Sequence, residues 1–244
     1  MSNTWFQFKQ FTIEQDQCAM KVSTDACIQG AWAGRFLSSR PDCGTVLDIG
    51  TGTGLLSLMI AQKAPWATVT ALEQEQQAAR QAAENMERSP WHSSCRVVPL
   101  ALQDWIASRH PSTLFDFIIC NPPFFHNQLP ARKAERNMAR HDALSPALLT
   151  RSVRALLSPS GHCCILYPAR EWSSWETHAR QNGLFLSQVL HVRPGAHRPV
   201  NRITGIYAPQ APGSIAEEEL IIYETPGMYS SGFRKLLEDY YLGL

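Results

Sequence analysis

The chain has no uninterrupted apolar run of about 18 residues, which excludes an ordinary membrane-spanning helix. Its opening residues, MSNTWFQFKQ, lack a charged stretch followed by an apolar one, so no export signal is expected. No C-x-x-C pair occurs among the seven cysteines (Cys18, Cys27, Cys43, Cys95, Cys120, Cys163 and Cys164). An odd number with one adjacent pair fits neither a zinc ribbon nor a disulfide framework, and reads as reduced, buried thiols in a cytoplasmic protein. The eight histidines show no metal-ligand spacing either, so no metal is expected. Charge of one sign is not in excess: 22 Lys and Arg against 21 Asp and Glu leave a formal +1. Composition alone therefore does not announce a nucleic-acid binder, and local clusters must carry that argument. Repeats and low-complexity tracts are absent as well.

What is present is core material. Hydrophobic residues are 44% of the 244 and charged residues 18%, far from the composition of a disordered chain. The one Pro/Gly-rich stretch that resembles a linker is 208–214 (APQAPGS), so a single domain over 1–244 is expected, with 1–40 as an N-terminal cap and 41–244 as the α/β core. Apolar runs at 45–49, 67–72, 96–100, 115–120 and 162–167 alternate with helix-forming stretches at 54–62, 74–88, 102–108 and 144–157. That alternation predicts a doubly wound, mostly parallel sheet with helices on both faces. Later strands at 185–192, 203–207 and 220–223 predict closure to a seven-stranded Rossmann-like sheet with an antiparallel edge strand. A last helix is expected over 231–240.

In open α/β sheets ligands bind outside the carboxyl ends of the strands, where strand order reverses. The segment Asp48-Ile-Gly-Thr-Gly-Thr-Gly54 leaves the first such strand. Gly50, Gly52 and Gly54 allow close backbone approach, but the nicotinamide fingerprint G-x-G-x-x-G needs a glycine where Leu55 stands, which disfavours an oxidoreductase. The G-x-G-x-G spacing behind an acid is similar to motif I of class I methyltransferases. Glu73, at the end of the next strand, is placed to accept two hydroxyl hydrogen bonds from a ribose. An ordinary turn and a helix cap remain the alternative for each feature alone.

The strongest signal is Phe115-Asp-Phe-Ile-Ile-Cys-Asn-Pro-Pro-Phe124. Consecutive prolines forbid continuation of the strand and present Asn121 at its carboxyl edge. The exocyclic nitrogen of adenine is a weak nucleophile because its lone pair is delocalised into the ring. Acceptors for its N–H groups, here the Asn121 side-chain oxygen and the Pro122 carbonyl, draw that pair toward an incoming methyl. Phe124 offers a face on which the base stacks. No metal or strong base is needed when the methyl donor is a sulfonium. The tetrapeptide resembles motif IV of amino methyltransferases, Asp/Asn-Pro-Pro-Tyr/Phe.

Taken with 6–25 (FQFKQFTIEQDQCAMKVSTD), Gly30-Ala-Trp32, Ser89-Pro-Trp91 and Asn201-Arg202, the whole chain resembles the bacterial tRNA1(Val) adenine-N6-methyltransferase family. The resemblance implies S-adenosylmethionine as cofactor, a tRNA substrate and transfer to the adenine just 3′ of the anticodon. It also implies that Lys21, Thr24 and Asp25 lie against the cofactor. The same residues read as the cap and first turn of a helix from Ser23 or Thr24. In Pro99-Leu-Ala-Leu102 relatives often carry an Asp where this chain has Ala101. Leu102 is assigned to the cofactor, and Asp104 is the candidate replacement.

Pro123 and Phe125 flank the motif and are assigned to the substrate. Arg132, Lys133, Arg136 and Arg140 follow it, and Arg193, Arg198 and Arg202 form a second basic set; both are candidate phosphate contacts, with a solvated surface as the alternative. A monomer is expected. The nearest rivals are a glutamine-N5 methyltransferase of release factors and a ribosomal RNA amino methyltransferase.

Overall fold

A computed structural model describes residues 3–108, 114–122 and 144–244. Strands β1 (Trp5–Gln7) and β2 (Thr12–Glu14) form a separate antiparallel hairpin. Helix α1 (Thr24–Ser38) follows, then β3 (Thr45–Ile49), α2 (Leu55–Lys63), β4 (Thr68–Leu72), α3 (Gln76–Glu87), β5 (Cys95–Val98) and α4 (Leu102–Ser108). The second half runs β6 (Phe115–Cys120), α5 (Pro146–Leu156), β7 (Leu157–Pro168), α6 (Trp172–Gln181), β8 (Phe185–Gly195), β9 (Arg202–Ala208), β10 (Ala216–Thr225), β11 (Met228–Tyr229) and α7 (Ser231–Leu237).

Successive side chains of a strand point to opposite faces, and the core divides accordingly. Val46, Phe117, Ile119 and Cys164 pack on one face against α1, α2 and α7. Leu47, Ile118, Cys120 and Ile165 pack on the other against α5 and α6. Being buried on both faces is what makes these central strands near-continuous apolar runs. Helix α2 is buried along nearly its whole length, because its residues meet both the sheet and α1.

The sheet order is β11-β10-β8-β9-β7-β6-β3-β4-β5. The doubly wound, mostly parallel class stands, with nine strands in place of the seven expected. Strand β10, which pairs parallel with β8, covers the run expected at 220–223, and the unforeseen strand is β11, which hairpins onto its end as an antiparallel edge strand. A second antiparallel strand, β9, is internal. Helix α6 carries the chain past one position to β8, and β9 returns by a hairpin into the gap, antiparallel to both β7 and β8. The stretch 209–215 links β9 to β10.

From β3 the chain winds outward through β4 and β5, then returns to the other side of β3 at β6. Strand order therefore reverses between β3 and β6, whose register pairs Ile49 with Cys120. The glycine segment and Asn121 leave the sheet from these two paired residues, on strands that lie about 5 Å apart. The fold has thus brought the two strongest sequence signals together.

Candidate functional site

A cavity of about 510 Å³ opens at this switch point. Its walls include Gly50, Thr51 and Gly52 from the turn after β3, Glu73 after β4, Leu102 at the start of α4, and Asn121 and Pro122 after β6. Lys21 comes from the segment before α1, and Leu144 closes the wall from beyond residue 143.

The turn has its shape because Gly50, Gly52 and Gly54 all take positive φ, at 72°, 58° and 85°. Side chains rarely adopt that region, so glycine is required there. The amides of Gly50 and Thr51 both donate to the Leu72 carbonyl at 2.9 Å, pinning the turn to β4. Asp48 holds it from below. Its Oδ2 accepts from Thr51 Oγ1 at 2.6 Å and from Ser57 Oγ at 2.7 Å, while Oδ1 is buried and accepts no hydrogen bond among the described residues. Full burial pushes this carboxyl up to about 6 from an ordinary 3.8, despite the two hydroxyls that favour its ionised form.

Glu73 accepts from the Gly52 amide at 2.9 Å through Oε2, and from the Glu75 amide at 3.0 Å through Oε1. Each oxygen keeps a second lone pair for another donor. Asn121 is a further polar group of the lining. Its Oδ1 is buried and accepts no hydrogen bond among the described residues. One residue earlier, the Cys120 carbonyl accepts from Gln29 Nε2 of α1 at 2.9 Å, and the same nitrogen reaches the Cys164 carbonyl at 3.3 Å. A wholly buried carboxamide thus ties the end of β6 to β7, immediately before Asn121.

Of the expected cofactor residues, Lys21, Gly50, Gly52, Glu73, Leu102 and Asn121 line the cavity, whereas Thr24, Asp25, Asp48 and Gly54 do not. The reasons are local. Ser23 caps α1, its Oγ accepting from the Ala26 amide at 3.2 Å, so Thr24 and Asp25 lie in the first helical turn. Asp25 is taken up by Arg202, whose Nε lies 2.7 Å from Oδ2. Asp48 faces into the fold below the turn, and Gly54 is the left-handed N-cap of α2. Arg193 is likewise paired, its Nε 2.7 Å from Glu219 Oε2, while Arg198 is exposed in the β8–β9 connection. Asp104, the candidate replacement for the missing acid, does not line the cavity; its neighbour Gln103 does. Pro123, Phe124, Phe125, Arg132, Lys133, Arg136 and Arg140 lie outside the described residues.

Sequence reasoning missed Cys18, Met20, Ile49 and Leu72, which supply apolar wall. The last two close strands that end at the reversal of strand order, a position that could have identified them. It also missed Gln29, a polar residue in a helix buried almost all round. Among the described residues no group of three or more His, Cys, Asp or Glu is arranged to hold a metal ion, and no helix is long and apolar enough to cross a membrane.

A methyltransferase small domain model matches residues 35–150. Among solved structures, a predicted O-methyltransferase of Agrobacterium tumefaciens superposes with TM-score 0.67 at 16% identity, covering 88% of this chain and 96% of that one. A class I S-adenosylmethionine-dependent methyltransferase described for Listeria monocytogenes superposes with TM-score 0.60 at 10% identity, covering 90% and 72%. These likenesses show the fold alone; the class, an S-adenosylmethionine-dependent methyltransferase, rests on the matching family model together with the curated relatives. Closer relatives narrow it. The tRNA1(Val) (adenine(37)-N6)-methyltransferase of Bacteroides fragilis strain YCH46 is 41% identical over 99% of both chains. The enzyme of the same name from Vibrio cholerae is 39% identical over 98% of this chain and 96% of its own. The chain belongs to the tRNA1(Val) (adenine(37)-N6)-methyltransferase family.

Proposed function

We propose that this protein transfers the methyl group of S-adenosylmethionine to the N6 amino group of adenine 37 in tRNA1(Val), the reaction named for its relatives. The observation that carries the reading is the buried Asn121 Oδ1, which accepts no hydrogen bond among the described residues, in the wall of a cavity whose adjoining wall is the glycine turn. A buried polar atom without a partner costs of the order of 1–3 kcal/mol, and such an atom calls for an explanation. A ligand N–H is the partner that this position suits.

The residues present fit the cofactor. A volume of about 510 Å³ falls in the range of small-molecule sites. In our reading Glu73 takes the ribose hydroxyls, Gly50 and Gly52 face the methionine portion, and Leu102 with Leu72 bounds the base. Asp48 acts indirectly, by fixing the turn. When bound, S-adenosylmethionine supplies a sulfonium methyl that is electrophilic without further activation. Asn121 and the Pro122 carbonyl accept the two N–H groups of the adenine and orient its nitrogen lone pair. Prolines 122 and 123 restrict the backbone there, so little reorganisation is needed. Phe124 is assigned to stacking, and Pro123 and Phe125 to the rim of the base site.

Phosphate contacts are assigned to Arg132, Arg136 and Arg140. Arg193 and Arg202 already serve Glu219 and Asp25, so Arg198 replaces them as the candidate on the described surface. We keep the division into a cap of residues 1–40 and a core of 41–244 as an assignment, with Lys21 lining the cavity from the cap side.

The test is transfer of label from radioactive S-adenosylmethionine to an extract of a strain lacking the gene, separated into tRNA, ribosomal RNA and protein, followed by nucleoside mapping. N6-methyladenosine at position 37 of tRNA1(Val) is expected. Label confined to protein would overturn the reading in favour of a glutamine methyltransferase, and label in ribosomal RNA alone would overturn it in favour of the other rival.

A further inference from the structure

Gln81 and Asn85 lie one turn apart on the buried face of α3, at 3% and 1% exposure, among Ala78, Ala82 and Met86. Polar side chains on an apolar face need partners, and both have them on other elements. Asn85 Oδ1 accepts from the Glu14 amide at 2.9 Å. Its Nδ2 donates to the Glu14 carbonyl and to the Thr53 carbonyl, each at 2.9 Å. One carboxamide therefore joins the end of β2 to the glycine turn. Gln81 Oε1 accepts from the Gln17 amide at 3.1 Å, and its Nε2 donates to Asp16 Oδ1 at 2.6 Å.

These contacts bracket the start of a short strap over the cavity. Gln15 Oε1 accepts from the Val22 amide at 2.8 Å and closes its base. Between them Cys18, Ala19, Met20 and Lys21 form cavity wall. Of these four only Cys18 is buried, and Met20 is half exposed. Apolar burial therefore holds the strap weakly; Gln81 fixes it at Asp16 and Gln17 and Asn85 fixes Glu14 just before it, beside bonds from Gln15 and Lys21 to the Thr4 and Asn3 carbonyls.

We propose that Asn85 and Gln81 are positioning residues that hold the 15–22 strap and the glycine turn in their cofactor-binding arrangement. The inference rests on the reading that the cavity takes S-adenosylmethionine. With the strap fixed in the folded protein, the entropy of ordering it does not fall on binding. Removing the bonds moves that cost to the binding step, so affinity suffers more than the rate at saturation.

The experiment is calorimetric titration of the full chain with S-adenosylhomocysteine, paired with steady-state kinetics and hydrogen exchange. The variants are Asn85→Leu and Gln81→Leu. Leu237→Ala, in α7 and outside the cavity wall, controls for general destabilisation. Both test variants are expected to bind about ten-fold more weakly, the loss of one or two net hydrogen bonds, with KM for S-adenosylmethionine raised and kcat within two-fold. Amide exchange at Cys18–Lys21 accelerates in both, and at Gly52 and Thr53 in Asn85→Leu alone. The control melts at lower temperature with unchanged affinity. Wild-type affinity in both test variants, or an equal loss in the control, overturns the proposal. If Asn85→Leu does not fold, Gln81→Leu, which touches the strap and not the turn, decides. A native chain that binds no S-adenosylhomocysteine overturns the cofactor reading itself, and with it this proposal.

Discussion

Asp48→Asn is expected to change how stability depends on pH, and the size of the effect follows from burial. Well below pH 3.8 the carboxyl is protonated both folded and unfolded and contributes no pH dependence. As pH rises from the unfolded value near 3.8 to the folded value of about 6, the unfolded chain releases a proton that the native protein keeps. Stability therefore falls across that window, by about 1.4 kcal/mol per pH unit and about 3 kcal/mol in all, then levels off. Asparagine keeps an acceptor for Thr51 and Ser57 and has nothing to ionise. Urea unfolding at pH 4 and pH 7 should thus show the variant gaining about 2 kcal/mol on the native protein between the two conditions. A gap that stays constant with pH, or that moves the other way, would refute the claim that Asp48 is a net-strained buried carboxylate beneath the turn.

Glu73→Ala removes the carboxylate that fixes the Gly52 amide and leaves the proposed ribose site empty, so S-adenosylhomocysteine affinity should fall roughly ten- to hundred-fold; an unchanged dissociation constant by calorimetry would move the cofactor elsewhere. Gly205→Ala puts a methyl group 2.6 Å from Trp172 Cη2 and 2.8 Å from Leu186 Cδ1. Overpacking of this kind should cost about 1–3 kcal/mol in urea titration, and a neutral result would mean that this part of the α6 face yields easily. Arg198→Ala should lower the slope of log affinity for tRNA against log salt by about one and leave cofactor binding alone; an unchanged slope removes Arg198 from the docking surface.

The central fold was legible because its strands are buried on both faces and so appear as plain apolar runs, such as 45–49 and 115–120. Helix α6 was not, because its sequence, WSSWETHARQ, has weak intrinsic preference and is held by Trp172 and Trp175 packing on the sheet. The position of β9 was hidden for a different reason. Whether a strand lies inside or at the edge of a sheet is decided by pairing partners far away in sequence. In the site, the glycine spacing and the prolines after Asn121 were readable since they impose backbone geometry directly. Asp48 was assigned to the cofactor because a carboxylate near a glycine turn has two possible uses, and Asp25 because the family resemblance implied it. Only the three-dimensional partners, Arg202 for one and Thr51 with Ser57 for the other, distinguish them. Gln81 and Asn85 left a fainter mark, polar side chains four residues apart on an otherwise apolar helix face.

The most direct test of the central claim is Asn121→Ala assayed twice, by methyl transfer to tRNA1(Val) and by calorimetry with S-adenosylhomocysteine. Loss of one preorganised acceptor predicts transfer reduced by at least about a hundred-fold, with cofactor affinity held within a few-fold. A variant that still methylates at near the native rate would contradict the account.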